Sequence, residues 1–185
     1  MVPEARLVDS GSGLTPASEG WFVLNVRDAM WMTSEGGERQ TSGTEVIFEN
    51  PEFWLRQFAI RIHVLEPGEP NGLYHSESEQ EDFLVLSGEC RLLVEGGERI
   101  LKPWDFFHSP PGTEHIFVGA GDGPCAILMT GARTEGMTVR YPVSELAARY
   151  GASAKEETSD PDQAYVGFAE SRRARPSYWD QLPWA

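Results

Sequence analysis

The sequence predicts an all-β domain, a sandwich or barrel of short antiparallel strands. Gly and Pro are frequent, 19 and 13 of 185 residues, so turns must be frequent. Nine Phe, six Trp and five Tyr suit strands better than helices. Between Leu73 and Arg133, strand-like runs and turn residues alternate at short intervals with no helical period. The length suits one decorated domain with a core large enough to need no staples.

The elements follow in order. Residues 1–18, rich in Ser, Gly, Pro and Glu, read as a flexible N-terminal arm. Residues 21–26 and 29–33 read as strands, 34–42 as polar loop, and 45–48 and 53–66 as strands again. Pro67, Gly68, Pro70, Asn71 and Gly72 form a turn cluster. A strand over 81–86 turns at Ser87-Gly88. Strands over 90–94 and 99–101 flank Glu95-Gly96-Gly97-Glu98, where the Gly-Gly pair signals a two-residue hairpin. Strands over 105–109, 115–118 and 125–131 complete the set, the first ended by Pro110-Pro111-Gly112. One helix is predicted over 143–150, behind Pro142 and closed by Gly151. Residues 156–162 read as acidic loop. The tail from 164 to 185 carries Tyr165, Phe168, Tyr178, Trp179 and Trp184, too many aromatics for a solvated end, and is expected to pack on the barrel or on a neighbouring subunit. The expected organisation is an arm (1–18), a barrel with extra N-terminal strands (19–133) and a C-terminal extension (134–185).

Charge narrows the function. Against 15 Lys+Arg stand 29 Asp+Glu, a net charge of −14, which repels nucleic-acid backbones and anionic lipid. Cys90 and Cys125 read as small buried hydrophobes of a reducing compartment. Apolar runs fall far short of the ~18 residues of a membrane span, and residues 1–12 lack the apolar segment of a secretory signal. A cytoplasmic protein is the expectation.

The chemistry concentrates in few residues. Of four histidines, His75 is followed by Glu77 and Glu81, with Ser78-Glu79-Gln80 allowing a bend between them. Strand positions two apart share a face, so His75 and Glu77 can converge, and a hairpin brings Glu81 beside them. With His115, two imidazoles and one or two carboxylates on facing strands make a divalent-metal site. Taken alone, the alternating His75, Glu77, Glu79 and Glu81 would read first as a solvated acidic face with a stray His.

Two motifs here resemble those of the cupin superfamily. His75-x-Glu77, three residues, Glu81, six residues and Gly88 is similar to the first; Pro110-x-Gly112, two residues and His115 is similar to the second. The 15 residues from Glu89 to Pro103 match the short connection of compact microbial cupins. The resemblance covers about residues 59–131. It departs from the family where the second His of the first motif is Glu77, where Trp104 stands for the Gly that opens the second, and where Gly119 stands for its closing Asn.

The resemblance implies a jelly-roll β-barrel with His75, Glu81 and His115 as ligands of a divalent metal (Fe, Mn or Zn), and a homodimer. Glu77 stands at a ligand position; it serves as a fourth ligand or, turned away, as a general base. A shifted bend would substitute Glu79. A second carboxylate would make the metal-loaded site neutral and, without metal, would raise a carboxyl pKa by repulsion and desolvation. The implied function is a metal-dependent reaction of dioxygenase, isomerase or lyase type on a small molecule. The alternatives are a non-catalytic small-molecule binder and a structural dimer with a vestigial site.

The other candidates have plainer readings. His63 is expected to make a local hydrogen bond from its strand, with substrate contact the minor reading. His108 faces either the core or a pocket mouth. Phe83, Val85 and Phe117 share parity with Glu81 or His115 and should line the barrel. Trp104-Asp105 reads as a turn with an anchored aromatic, and Arg172, Arg173 and Arg175 as answers to the acid excess rather than an anion site.

Overall fold

The computed structural model describes residues 1–34 and 43–184; the polar-loop expectation for 34–42 lies, beyond Ser34, outside the described residues. The strands are β1 (Leu7–Asp9), β2 (Leu14–Pro16), β3 (Met30–Thr33), β4 (Glu45–Ile47), β5 (Phe58–Leu65), β6 (Ser76–Glu77), β7 (Glu81–Ser87), β8 (Glu89–Val94), β9 (Gly97–Leu101), β10 (Phe106–Ser109), β11 (His115–Ala120), β12 (Cys125–Ala132), β13 (Val139–Arg140) and β14 (Arg172–Arg173). Two short helices, α1 (Glu145–Ala148) and α2 (Pro161–Ala164), follow in the C-terminal region. The chain is an all-β jelly-roll barrel. Its larger sheet runs β10-β7-β12-β5-β4-β3-β14, its smaller one β11-β8-β9, and all strand pairs are antiparallel.

Side-chain alternation along β5 explains the layering. Leu65 joins the core between the sheets with Phe83, Val85, Leu92, Phe117 and Ile127, while Arg61 and His63, on the same face, line a pocket. Ile62 and Val64 point the other way and are equally buried, in a second cluster with Trp31, Val46, Tyr178 and Leu182. Both faces of the strand are covered because the tail lies over the outer one. Trp179 packs edge-on against Trp31, with ring centroids 5.0 Å apart, and Arg172–Arg173 adds a strand to β3. The tail therefore packs on its own barrel, and Arg175 stacks over the Trp179 ring at 4.5 Å.

Several local expectations are corrected. Residues 7–9 and 14–16, placed in a loose arm, pair as a hairpin, and the Ser12 hydroxyl donates to the Trp31 carbonyl at 2.7 Å. The strand expected over 21–26 reduces to a bridge at Trp21 and a 3-10 turn, Val26–Asp28, because the Asn25 side chain accepts the Arg27 N–H and caps that turn. The long strand expected from residue 53 starts at Phe58. The helix shortens to Glu145–Ala148, capped by Ser144, and a second appears at Pro161–Ala164, where Asp160 caps and Pro161 opens it inside the supposed acidic loop.

The hairpin between β8 and β9 turns on Glu95-Gly96, one place before the expected Gly-Gly. Both turn residues have positive φ, 47° and 74°, as the mirror-image type I turn demands. Trp104 is not anchored: it is 74% exposed, at φ 75°, in the left-handed position behind Pro103 where this kind of turn favours Gly.

Candidate metal centre

Backbone pairing brings the histidines together. His75 and His115 form an isolated antiparallel bridge, each N–H donating to the other's carbonyl at 3.1 and 2.8 Å, and their rings lie 5.1 Å apart. Glu81 enters at the start of β7, opposite Ser109 on one side and Gly131 on the other. The result is a cluster in which one ligand atom each from His75, Glu81 and His115 lies within 4.8 Å of the others. His115 Nε2 is 3.5 Å from Glu81 Oε2.

Both imidazoles are oriented by a backbone carbonyl two residues earlier. His75 Nδ1 is 2.7 Å from the Leu73 carbonyl and His115 Nδ1 is 3.1 Å from that of Thr113. Donation from Nδ1–H places the lone pair on Nε2, the usual second contact of a metal-binding His.

Electrostatics favour a cation. Burial, aided by the Glu77 charge, pushes the Glu81 carboxyl up to about 8. Burial and the neighbouring His75 push His115 down to about 4, and burial also lowers His75. The cluster thus holds two neutral imidazoles and a protonated acid near neutral pH. Losing that proton to a divalent ion converts the set to two nitrogens and one carboxylate oxygen, which suits Fe, Mn or Zn. The donor set fits the group that the motif implies.

The remaining predicted residues separate. Glu77 lines the same pocket but lies outside the three-atom cluster; burial raises its pKa, opposed by Arg61 and reinforced by Glu79. The Glu79 carboxylate instead accepts the Thr134 hydroxyl at 2.6 Å, so the shifted-bend alternative does not form. His108 faces outward, half exposed, 2.7 Å from Asp82 across the strand pair. Cys90 and Cys125 are free, buried thiols.

A second polar group lies beside the cluster; of its members only His63 carried a substrate-contact reading from the sequence, and that the minor one. His63 Nε2 lies 3.2 Å from Glu45 Oε2, and Arg61 Nη1 reaches the same oxygen at 3.0 Å. Burial opposes ionisation of Glu45, but the His63 and Arg61 partners outweigh it and hold the carboxyl down to about 2. Arg61 and His63 line the pocket beside the cluster, with Tyr141 and Tyr165 from the C-terminal extension. The pocket encloses about 360 Å³, the size of a small-molecule site. The signal for Arg61 and His63 was their shared parity with Leu65.

The class that the fold and site define is a jelly-roll β-barrel with a His/Glu/His group that could hold a metal ion at the mouth of its interior. Residues 61–131 match the cupin domain family. Among solved structures it is similar to a sugar phosphate isomerase of the cupin superfamily from Silicibacter pomeroyi (35% identity, 46% of this chain, 56% of that one, TM-score 0.43). It is also similar to a candidate sugar phosphate isomerase from Acidithiobacillus ferrooxidans (26%, 56% and 71%, 0.47). A third is a cupin 2 conserved barrel domain protein from Salinispora arenicola (19%, 52% and 82%, 0.45). The chain spans just over half the length of the Silicibacter protein. No curated protein matches the chain. Among the described residues, no helix is long and apolar enough to cross a membrane.

Proposed function

We propose that the chain binds one divalent ion, Fe, Mn or Zn, through His75, Glu81 and His115 and carries out a metal-dependent reaction on a small molecule in the adjoining pocket. The observation that carries this reading is the convergence of two carbonyl-oriented imidazoles and a half-buried acid without a fixed cationic partner among the described residues. A bound ion would polarise a substrate oxygen or activate a small oxidant.

The chain's own residues have separable tasks. The Leu73 and Thr113 carbonyls hold the two Nε2 atoms in place. Phe83 and Phe107 pack edge-on against His115, at 5.1 and 5.6 Å, and exclude water from its far side. Glu77, on the pocket wall with a raised pKa, takes or gives a proton at its carboxylate. Arg61, held by Glu45, stands on the wall as a fixed positive group and moderates the Glu77 charge.

Metal analysis of the purified chain and of His115→Ala tests this. The parent should retain about one equivalent of Mn, Fe or Zn after dialysis, and the variant, folded but lacking one of three ligands, should retain almost none. Equal metal content in both would overturn the assignment.

A further inference from the structure

Tyr141 belongs to the C-terminal extension, outside the segment 61–131 that matches the cupin domain. Backbone pairing fixes it from both sides. β13 pairs with β6 so that Val139 faces Glu77 and Arg140 faces Ser76, and the same register carries Tyr141 toward His75. On its other edge Tyr141 exchanges two backbone hydrogen bonds with Thr158, at 2.8 and 3.2 Å. Its ring lies 5.9 Å from that of His75 and meets Tyr165 edge-on at 5.7 Å. Tyr165 is held in turn, its hydroxyl accepting the Leu73 N–H at 3.1 Å.

The residue is only 7% exposed, yet it lines the pocket, and its hydroxyl, with no hydrogen-bond partner among the described residues, keeps contact with solvent there rather than being sealed in. An unpartnered hydroxyl that faces a pocket is hydrated when the pocket is empty, and a ligand oxygen can take the place of that water. A rigid phenol beside the metal cluster, with its one polar atom left unmatched by the protein, is a donor waiting for an acceptor that arrives from outside.

We propose that Tyr141 is a ligand-binding residue whose hydroxyl donates a hydrogen bond to an oxygen (carbonyl, hydroxyl or carboxylate) of the small molecule held in the pocket. This rests on the metal-site reading above. The extension therefore contributes directly to recognition, and an oxygen-bearing ligand is favoured over an apolar one of the same shape.

The test uses the full chain loaded with cobalt(II) and titrated with acetohydroxamate, a small oxygen chelator, followed by the cobalt absorption bands. Tyr141→Phe should keep its cobalt, melt no lower than the parent, and bind the probe about fivefold more weakly, the value of one neutral hydrogen bond. Equal probe affinity in parent and variant, with cobalt retained by both, would overturn the role of Tyr141 alone. A melting temperature well below the parent's would show that the hydroxyl serves the fold, and would also overturn it. Failure of the parent itself to hold cobalt would overturn the metal-site reading and this inference with it.

Discussion

The two ends of the barrel interior are built from the same strands to opposite purposes. Toward one end β5 contributes Leu65, β7 Val85, β11 Phe117 and β12 Cys125 and Ile127, all at most 1% exposed and free of charge. Toward the other, the same strands and faces contribute Arg61 and His63, Glu81, His115, and Met129 and Gly131. Two or four residues along a strand change the environment from closed hydrocarbon to a polar pocket. The closed end supplies the burial energy that lets the open end hold costly groups: a carboxyl that cannot ionise freely, imidazoles kept neutral, and a Glu45 carboxylate shared by Arg61 and His63.

Substitutions at the two ends should therefore separate stability from metal binding. The largest effect on stability is expected at the closed end. Ile127→Ala should cost about 2–5 kcal/mol in denaturant unfolding, while the folded variant keeps the parent's metal affinity; loss of metal at unchanged stability would break the division.

A smaller effect is expected in the polar half. Glu45→Gln leaves the half-buried Arg61 and His63 without their shared carboxylate and should destabilise the fold by on the order of 1 kcal/mol at pH 7, the exposure of Arg61 weakening the pair. Glu45 has a folded pKa below its free value. Its contribution is complete above about 4.5 and is lost as pH falls toward about 2. The difference in melting temperature between parent and variant should shrink over that window; a constant difference from pH 6 to pH 2 would contradict the carboxylate's role.

Much of this was legible in the sequence, for reasons that also mark its limits. His75, Glu81 and His115 were readable because their spacing from Pro110, Gly112 and Gly88 is local, and local spacing survives into the fold. Phe83, Val85 and Phe117 were readable as interior residues because strand parity ties them to Glu81 and His115. Glu77 satisfied the spacing, but a two-residue strand pairing with β13 places it on the pocket wall outside the cluster. Arg61 and His63 were visible as one face of a strand. Which face lay inside was not, because the opposite face is apolar and is covered by Tyr178, Trp179 and Leu182 from more than 100 positions away. Tyr141 gave no signal, since its place depends on pairings with residues 75–77 and 158 that no local pattern encodes. Trp104 shows the opposite failure: the sequence put a bulky residue where a turn favours Gly, and the backbone takes the left-handed conformation regardless.

The most direct test of the central claim is calorimetric titration of the metal-free chain with Mn(II) or Zn(II) at pH 7, in two buffers of different ionisation enthalpy. Glu81, with its pKa raised to about 8 by burial and by Glu77, must release its proton to a cation, so affinity should rise with pH up to that value. One equivalent should bind with release of about one proton, and Glu81→Gln should abolish that release. Absence of binding, or the same proton release from Glu81→Gln as from the parent, would contradict it.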